Sequence, residues 1–121
     1  MKKIFIVEDD SWLAEQLKRT LDASGYETFI ASHALTAVQS LDKFYPDLFI
    51  MDVLLSGVTA FTLMNELQTY YDTSKIPVIL CTNLAGDLNF DSFSSYNIQK
   101  VIDKTTMKPQ DLILAVKELI G

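Results

Sequence analysis

Short apolar runs alternate with amphipathic stretches along this chain, and the alternation recurs five times. Lys3 to Val7 reads as a first strand, closed by Glu8, Asp9 and Asp10. Ser11 or Asp10 can cap a helix whose Leu13, Leu17 and Leu21 recur at i, i+4 and i+8, and Gly25 ends it. Tyr26 to Ala31 alternates only weakly and suits a strand nearer a sheet edge; Ala34, Ala37, Val38, Leu41 and Phe44 then form a second helical stripe, stopped by Pro46. Leu48 to Met51 is a continuous apolar run of the kind a strand buried on both faces needs, and it ends abruptly at Asp52.

A third helix is predicted from Thr59 or Ala60 to about Tyr71, with Phe61, Leu63, Met64 and Leu67 apolar, before a turn at Asp72-Thr73-Ser74. Ile76 to Cys81 is a fourth β-rich run, ending in Thr82-Asn83. From Leu84 to Gln99, Gly86, Asn89, Ser92, Ser94, Ser95 and Asn97 oppose a stable helix, so only a short or frayed one is expected near Asp87 to Tyr96. Lys100 to Asp103 is a short fifth strand leading to Lys104. Pro109 then suits the first turn of a last helix that buries Leu112, Ala115, Val116, Leu119 and Ile120.

This order implies an α/β fold: a doubly wound five-stranded parallel sheet with helices on both faces and right-handed crossovers. Five such strands most often adopt the order 2-1-3-4-5, the flavodoxin-like arrangement, which sets strands one and three side by side. With 121 residues, about half of them apolar, and no long Gly, Ser or Pro linker, the whole chain from 1 to 121 reads as a single domain with a sizeable core.

A formal charge of -6 argues against a nucleic-acid surface. The two lysines before Ile4 to Val7 resemble the start of a signal peptide, but the run is too short and lacks a cleavage site. No apolar stretch approaches the length of a transmembrane helix, so no membrane partner is expected. The lone Cys81 lies in an apolar run, reads as a small core residue, and fits a reducing, cytoplasmic compartment.

The chemistry gathers at the carboxyl ends of the predicted strands, where open α/β sheets bind ligands. Glu8 and Asp9 follow strand one, Asp52 strand three, Thr82 strand four and Lys104 strand five. Taken singly these are bland: an acid after a strand is more often a turn or cap residue, which describes Asp10 well, and Thr82 or Lys104 alone would be a turn hydroxyl or a solvated lysine. Together they are not. Three neighbouring carboxylates repel one another and call for a counter-charge, and Mg2+ suits a few carboxylates, a carbonyl and several waters. A metal-bound carboxylate beside a lysine and a threonine is also the equipment for moving a phosphoryl group, with Asp52, opposite the acidic pair, the best acceptor.

Val7-Glu8-Asp9-Asp10, Phe49 to Gly57 around Asp52, Pro77 to Thr82, and Ile102-Asp103-Lys104 resemble, in order and spacing, the receiver domain of two-component response regulators, over essentially the whole chain. The resemblance carries the same strand order. It implies that Asp52 accepts a phosphoryl group from a sensor histidine kinase or histidine phosphotransfer protein. It also implies that Asp9, Asp52 and the Leu54 carbonyl bind Mg2+, with Glu8 acting largely through water. Thr82 would move toward the phosphoryl group and Lys104 would pair with it. Such a domain is a self-phosphorylating switch that passes its state to a downstream effector. The family also implies homodimerisation through the fourth helix, fifth strand and fifth helix, although no charge pattern here specifies it.

The chain departs from that pattern at several positions. Ser56 stands for the usual Pro, Thr59-Ala60 for an acidic-Gly pair, Asn83 for Ala or Gly, and Thr105 for the Pro after the lysine. Val101 replaces the Tyr or Phe that rotates inward as the threonine moves, and Tyr96 is a candidate substitute. Leu54 and Leu84 flank the expected path of the hydrolytic water and cannot orient it. Slow autodephosphorylation is therefore expected, and radiolabel loss within seconds would contradict it. His33 is expected away from the catalytic edge, and the aromatics from Phe90 to Tyr96 read as helix packing. Two other classes compete with the switch: a receiver-like interaction module that works without phosphate, and an aspartyl-phosphate phosphatase, for whose cap domain the chain has no room.

Overall fold

A computed structural model describes residues 1–32, 39–41, 43–52, 54–55, 58–59, 65, 75–83 and 97–121. The expected strands are β1 (Lys3–Val7), β2 (Glu27–Ala31), β3 (Leu48–Met51), β6 (Val78–Thr82) and β7 (Ile98–Asp103), all parallel and ordered β2-β1-β3-β6-β7. Counted along this sheet alone, that is the predicted 2-1-3-4-5 order, with β1 and β3 adjacent. Between β3 and β6 the chain adds β4 (Leu54–Leu55) and β5 (Val58–Thr59), an antiparallel pair outside the main sheet.

That pair corrects one expectation. Of the two candidate helix starts, Thr59 and Ala60, Thr59 is instead paired with Leu54 in the antiparallel ladder. Asn65 is helical, as the third helix requires. The second stripe also ends sooner than Pro46: the Ser40 carbonyl accepts the amides of Lys43 and Phe44, and Phe44 lies beyond the last helical residue. His33, Ala34, Ala37 and Val38, the turn at 72–74, and the segment from Leu84 through Tyr96 lie outside the described residues.

Helix α1 (Ser11–Ala23) resolves the choice of cap in favour of Asp10, whose carboxylate accepts the Leu13 amide at 3.1 Å. Gly25 closes the helix at φ +93, in the left-handed region that glycine enters without strain. Helix α2 (Pro109–Ile120) begins with Pro109 at its first turn, and the Asp111 carboxylate accepts the Lys108 amide at 3.0 Å.

Both faces of the central strands are buried. Ile4, Ile6, Leu48, Ile50, Ile79 and Cys81 pack with Leu17 and Leu21 of α1 and Leu112, Ala115 and Val116 of α2. On the opposite face, Phe5, Phe29 and Phe49 form a row across β1, β2 and β3, and Phe44 lies against it. β7 is two residues longer than expected and carries a register irregularity at Gln99, the extra residue opposite Val78 and Ile79. At the outer strand β2, Lys18 of α1 donates to the Thr28 carbonyl at 3.2 Å and the Thr28 hydroxyl at 2.9 Å. That hydroxyl donates to Asp22 at 2.7 Å. Among the described residues, no helix is long and apolar enough to cross a membrane.

Candidate functional site

The parallel register brings the carboxyl ends of β1, β3, β6 and β7 to one edge of the sheet. Val7 pairs with Met51, Met51 with Leu80, and Thr82 with Asp103. The residues following these positions are those the sequence singled out. Asp52 is tied to β1 by its amide, which donates to the Val7 carbonyl at 3.4 Å, and Lys104 is tied to β6 by its amide, which donates to the Thr82 carbonyl at 3.1 Å.

Side-chain oxygens of Glu8, Asp9 and Asp52 lie within 4.8 Å of one another. Lys104 reaches across from β7 with its ammonium 2.9 and 3.0 Å from the two oxygens of Glu8 and 2.6 Å from Oδ2 of Asp52. The carboxylates differ sharply in exposure. Glu8 is only 3% exposed, Asp52 13%, and Asp9 lies at the surface. Burial dominates at Glu8 and pushes its pKa up, although Lys104 pulls the other way. Burial also disfavours the Lys104 ammonium, but the hydrogen bonds to Asp52 and Glu8 outweigh it and raise the lysine above its ordinary value.

Among the described residues, three carboxylates against one ammonium leave an excess of negative charge at this edge. Hard carboxylate oxygens converging at that spacing fit a hard divalent cation. Thr82 is buried at the end of β6, within the same strand-end cluster. Leu54 lies two residues past Asp52, on β4. Cys81 is buried and its thiol is pushed up to about 12, first by desolvation, which makes it an inert core residue.

Residues 4–117 match the sequence model of the response regulator receiver domain. The chain belongs to this family. Receiver domains are phosphorylation-based switches rather than conventional enzymes, and they bind Mg2+ at an acidic pocket. The chain is 28% identical, over 97% of its length, to the probable transcriptional regulator ycf29 of Porphyra purpurea, of which it spans 56%. To the polar-differentiation response regulator DivK of Brucella abortus it is 28% identical over 99% of its length, spanning 97% of that protein. The response regulator TrrA of Thermotoga maritima, solved in complex with Mg2+ and BeF, superposes with a TM-score of 0.82 at 25% identity, covering 99% of this chain and 100% of that one.

Two departures from the family pattern have visible surroundings. Val101 lies half-buried on β7, paired with Leu80. Thr105 donates both its amide, at 2.8 Å, and its hydroxyl, at 2.6 Å, to Oδ1 of Asp103. In the sequence Asp103 stands as the end of the fifth strand, directly before the lysine. The Asp-x-Thr spacing, a turn signature, could have drawn attention to it.

Proposed function

We propose that this receiver takes a phosphoryl group on Asp52 from a phosphohistidine of a sensor kinase or phosphotransfer protein, in a Mg2+-dependent reaction in the cytoplasm, and relays the change to an effector. The observation that carries this is the convergence of Asp52 and Lys104 at 2.6 Å beside two further carboxylates. One Asp52 oxygen attacks phosphorus; the O–P bond forms as the N–P bond breaks, and the departing imidazole nitrogen keeps the electron pair and takes a proton. Lys104 exchanges its contact with Asp52 for one with a phosphoryl oxygen. The Thr82 hydroxyl donates to another. Asp9 and Asp52, with the Leu54 carbonyl and Glu8 through water, would hold Mg2+, whose charge offsets that of the equatorial oxygens when bound.

Trp12, 70% exposed in the first turn of α1 and three residues past Asp9, supplies the readout. Its fluorescence is expected to respond to Mg2+, and then again to acetyl phosphate or beryllofluoride. Mass spectrometry should find one phosphoryl group on Asp52 in the wild type and none in Asp52→Asn. A wild type with neither a metal response nor a mass gain would sink this reading. The half-buried Val101 then favours the alternative, a receiver-like interaction module that needs no phosphate.

A further inference from the structure

The ladder between β6 and β7 ends at the pair Thr82 and Asp103, and Lys104 follows at the point where the chain leaves the sheet. A residue in that place is ordinarily free to swing, yet the Lys104 ammonium meets three separate carboxylate oxygens at 2.6 to 3.0 Å. Ordering a long lysine side chain on a mobile backbone is entropically costly. On the near side the Lys104 amide is held by the Thr82 carbonyl at 3.1 Å, and the chain beyond it must be fixed as well.

In the family pattern quoted above, the residue after the lysine is proline, whose ring fixes its own φ and restricts the residue before it. Thr105 can do neither. It does what proline cannot: its amide donates to Asp103 Oδ1 at 2.8 Å, while its hydroxyl donates to the same oxygen at 2.6 Å. The Asp103 carbonyl in turn accepts the amides of Thr106 at 3.3 Å and Met107 at 3.0 Å. Asp103 therefore holds the chain on the far side of Lys104 through both its side chain and its backbone, and the lysine is bracketed within a closed turn.

We propose that Asp103 is a positioning residue for Lys104, its carboxylate and Thr105 together fixing the turn that aims the ammonium between Glu8 and Asp52. This rests on the reading that Lys104 serves phosphoryl uptake at Asp52. Among the described residues, the hydrogen bonds of the Asp103 carboxylate and carbonyl go to Thr105, Thr106 and Met107, and not to Glu8, Asp9 or Asp52. Loss of Asp103 should misaim the lysine and leave the carboxylate cluster intact.

The test compares the wild type with Asp103→Ala, Asp103→Asn and Thr105→Val. Three quantities are read: the rate of phosphoryl uptake from acetyl phosphate at saturating Mg2+, the Mg2+ Kd from Trp12 fluorescence, and the Lys104 ammonium signal in nitrogen-correlated NMR. Asp103→Ala should slow uptake about tenfold through misplacement, with the Mg2+ Kd changed less than about twofold and the Lys104 signal broadened. Asp103→Asn keeps an acceptor oxygen for Thr105 and should restore both the rate and the signal. Thr105→Val keeps the amide donor, loses the hydroxyl, and should fall between; it carries the test if Asp103→Ala does not fold.

The inference is overturned by a wild-type rate and Lys104 signal in Asp103→Ala, by an Asn variant no better than the Ala variant, or by rate and Mg2+ affinity falling in parallel. If the wild type itself takes up no phosphoryl group, it is the phosphoacceptor reading that fails. The Lys104 signal then decides the positioning role alone.

Discussion

Replacing Lys104 with alanine is expected to destabilise the metal-free protein by about 3 kcal/mol, because removing one partner of a buried ion pair leaves the other uncompensated. The stranded partner is Glu8, which has almost no access to water. Asp52 and Asp9 add repulsion from nearby. The pH dependence has a definite sign. Burial already raises the Glu8 pKa, and without Lys104 only the weaker hydrogen bond from the Asp10 amide opposes it while the Asp52 charge adds to it, so folding favours the protonated carboxyl. The loss should therefore be largest well above the raised folded pKa and shrink as the pH falls through it.

The wild-type lysine behaves oppositely. Its raised pKa makes its stabilising contribution complete below the ordinary lysine value and lost only as the pH climbs through the folded one. Urea unfolding of the wild type and Lys104→Ala, in EDTA at mildly acidic and mildly basic pH, checks the Glu8 statement, and carrying the series above the ordinary lysine value checks the other. Saturating Mg2+ should return about 2.7 kcal/mol at one hundred times its Kd, since it binds only the folded site. A variant as stable as the wild type at basic pH without metal would mean that Glu8 is not desolvated as described.

Phe5→Ala should cost about as much or more, in the range of roughly 3 to 5 kcal/mol, for a different reason. Phe5 is fully buried at the middle of β1, and its ring centroid lies 5.1, 5.9 and 5.7 Å from those of Phe29, Phe44 and Phe49. Truncation removes contacts to three rings on three chain segments, and strands paired on both sides cannot close in on the gap. Phe29→Ala is the matched control, because that ring is 37% exposed on the outer strand and should cost clearly less. Equal losses in the two variants would show that the aromatic row does not act as a packed unit. Asp52 and Glu8 leave strands that flank or carry Phe5, so Phe5→Ala should also weaken the response of Trp12 to Mg2+.

What the sequence revealed follows from how local each signal is. The run Leu48 to Met51 announces a doubly buried strand unaided, because burial on both faces demands an unbroken apolar segment. Capping by Asp10 and the helix start at Pro109 are likewise local chemistry. The site itself needed topology: only the strand order brings Glu8 and Lys104, 96 residues apart, to hydrogen-bonding distance. Features set by tertiary contact escaped. The Leu54–Thr59 pairing depends on how the chain leaves β3, the irregularity at Gln99 on how β7 meets β6, and the inward turn of Glu8 against the outward one of Asp9 on the pleat of β1 as it ends. Periodicity encodes none of these. The Asp103 turn is the exception, because its Asp-x-Thr spacing is local and legible in the sequence.

The small polar knot of Lys18, Thr28 and Asp22 has a consequence for how copies of this chain can meet. β2 is an outer strand of the sheet, and an outer strand invites a foreign strand to extend the ladder. Here the carbonyl of Thr28 is already spoken for by a lysine, which an arriving backbone would have to evict while also breaking its ion pair with Asp22. Growth of the sheet from that margin is thereby discouraged, and fibrils built by stacking one sheet onto the next at β2 become an unfavourable route even at high concentration.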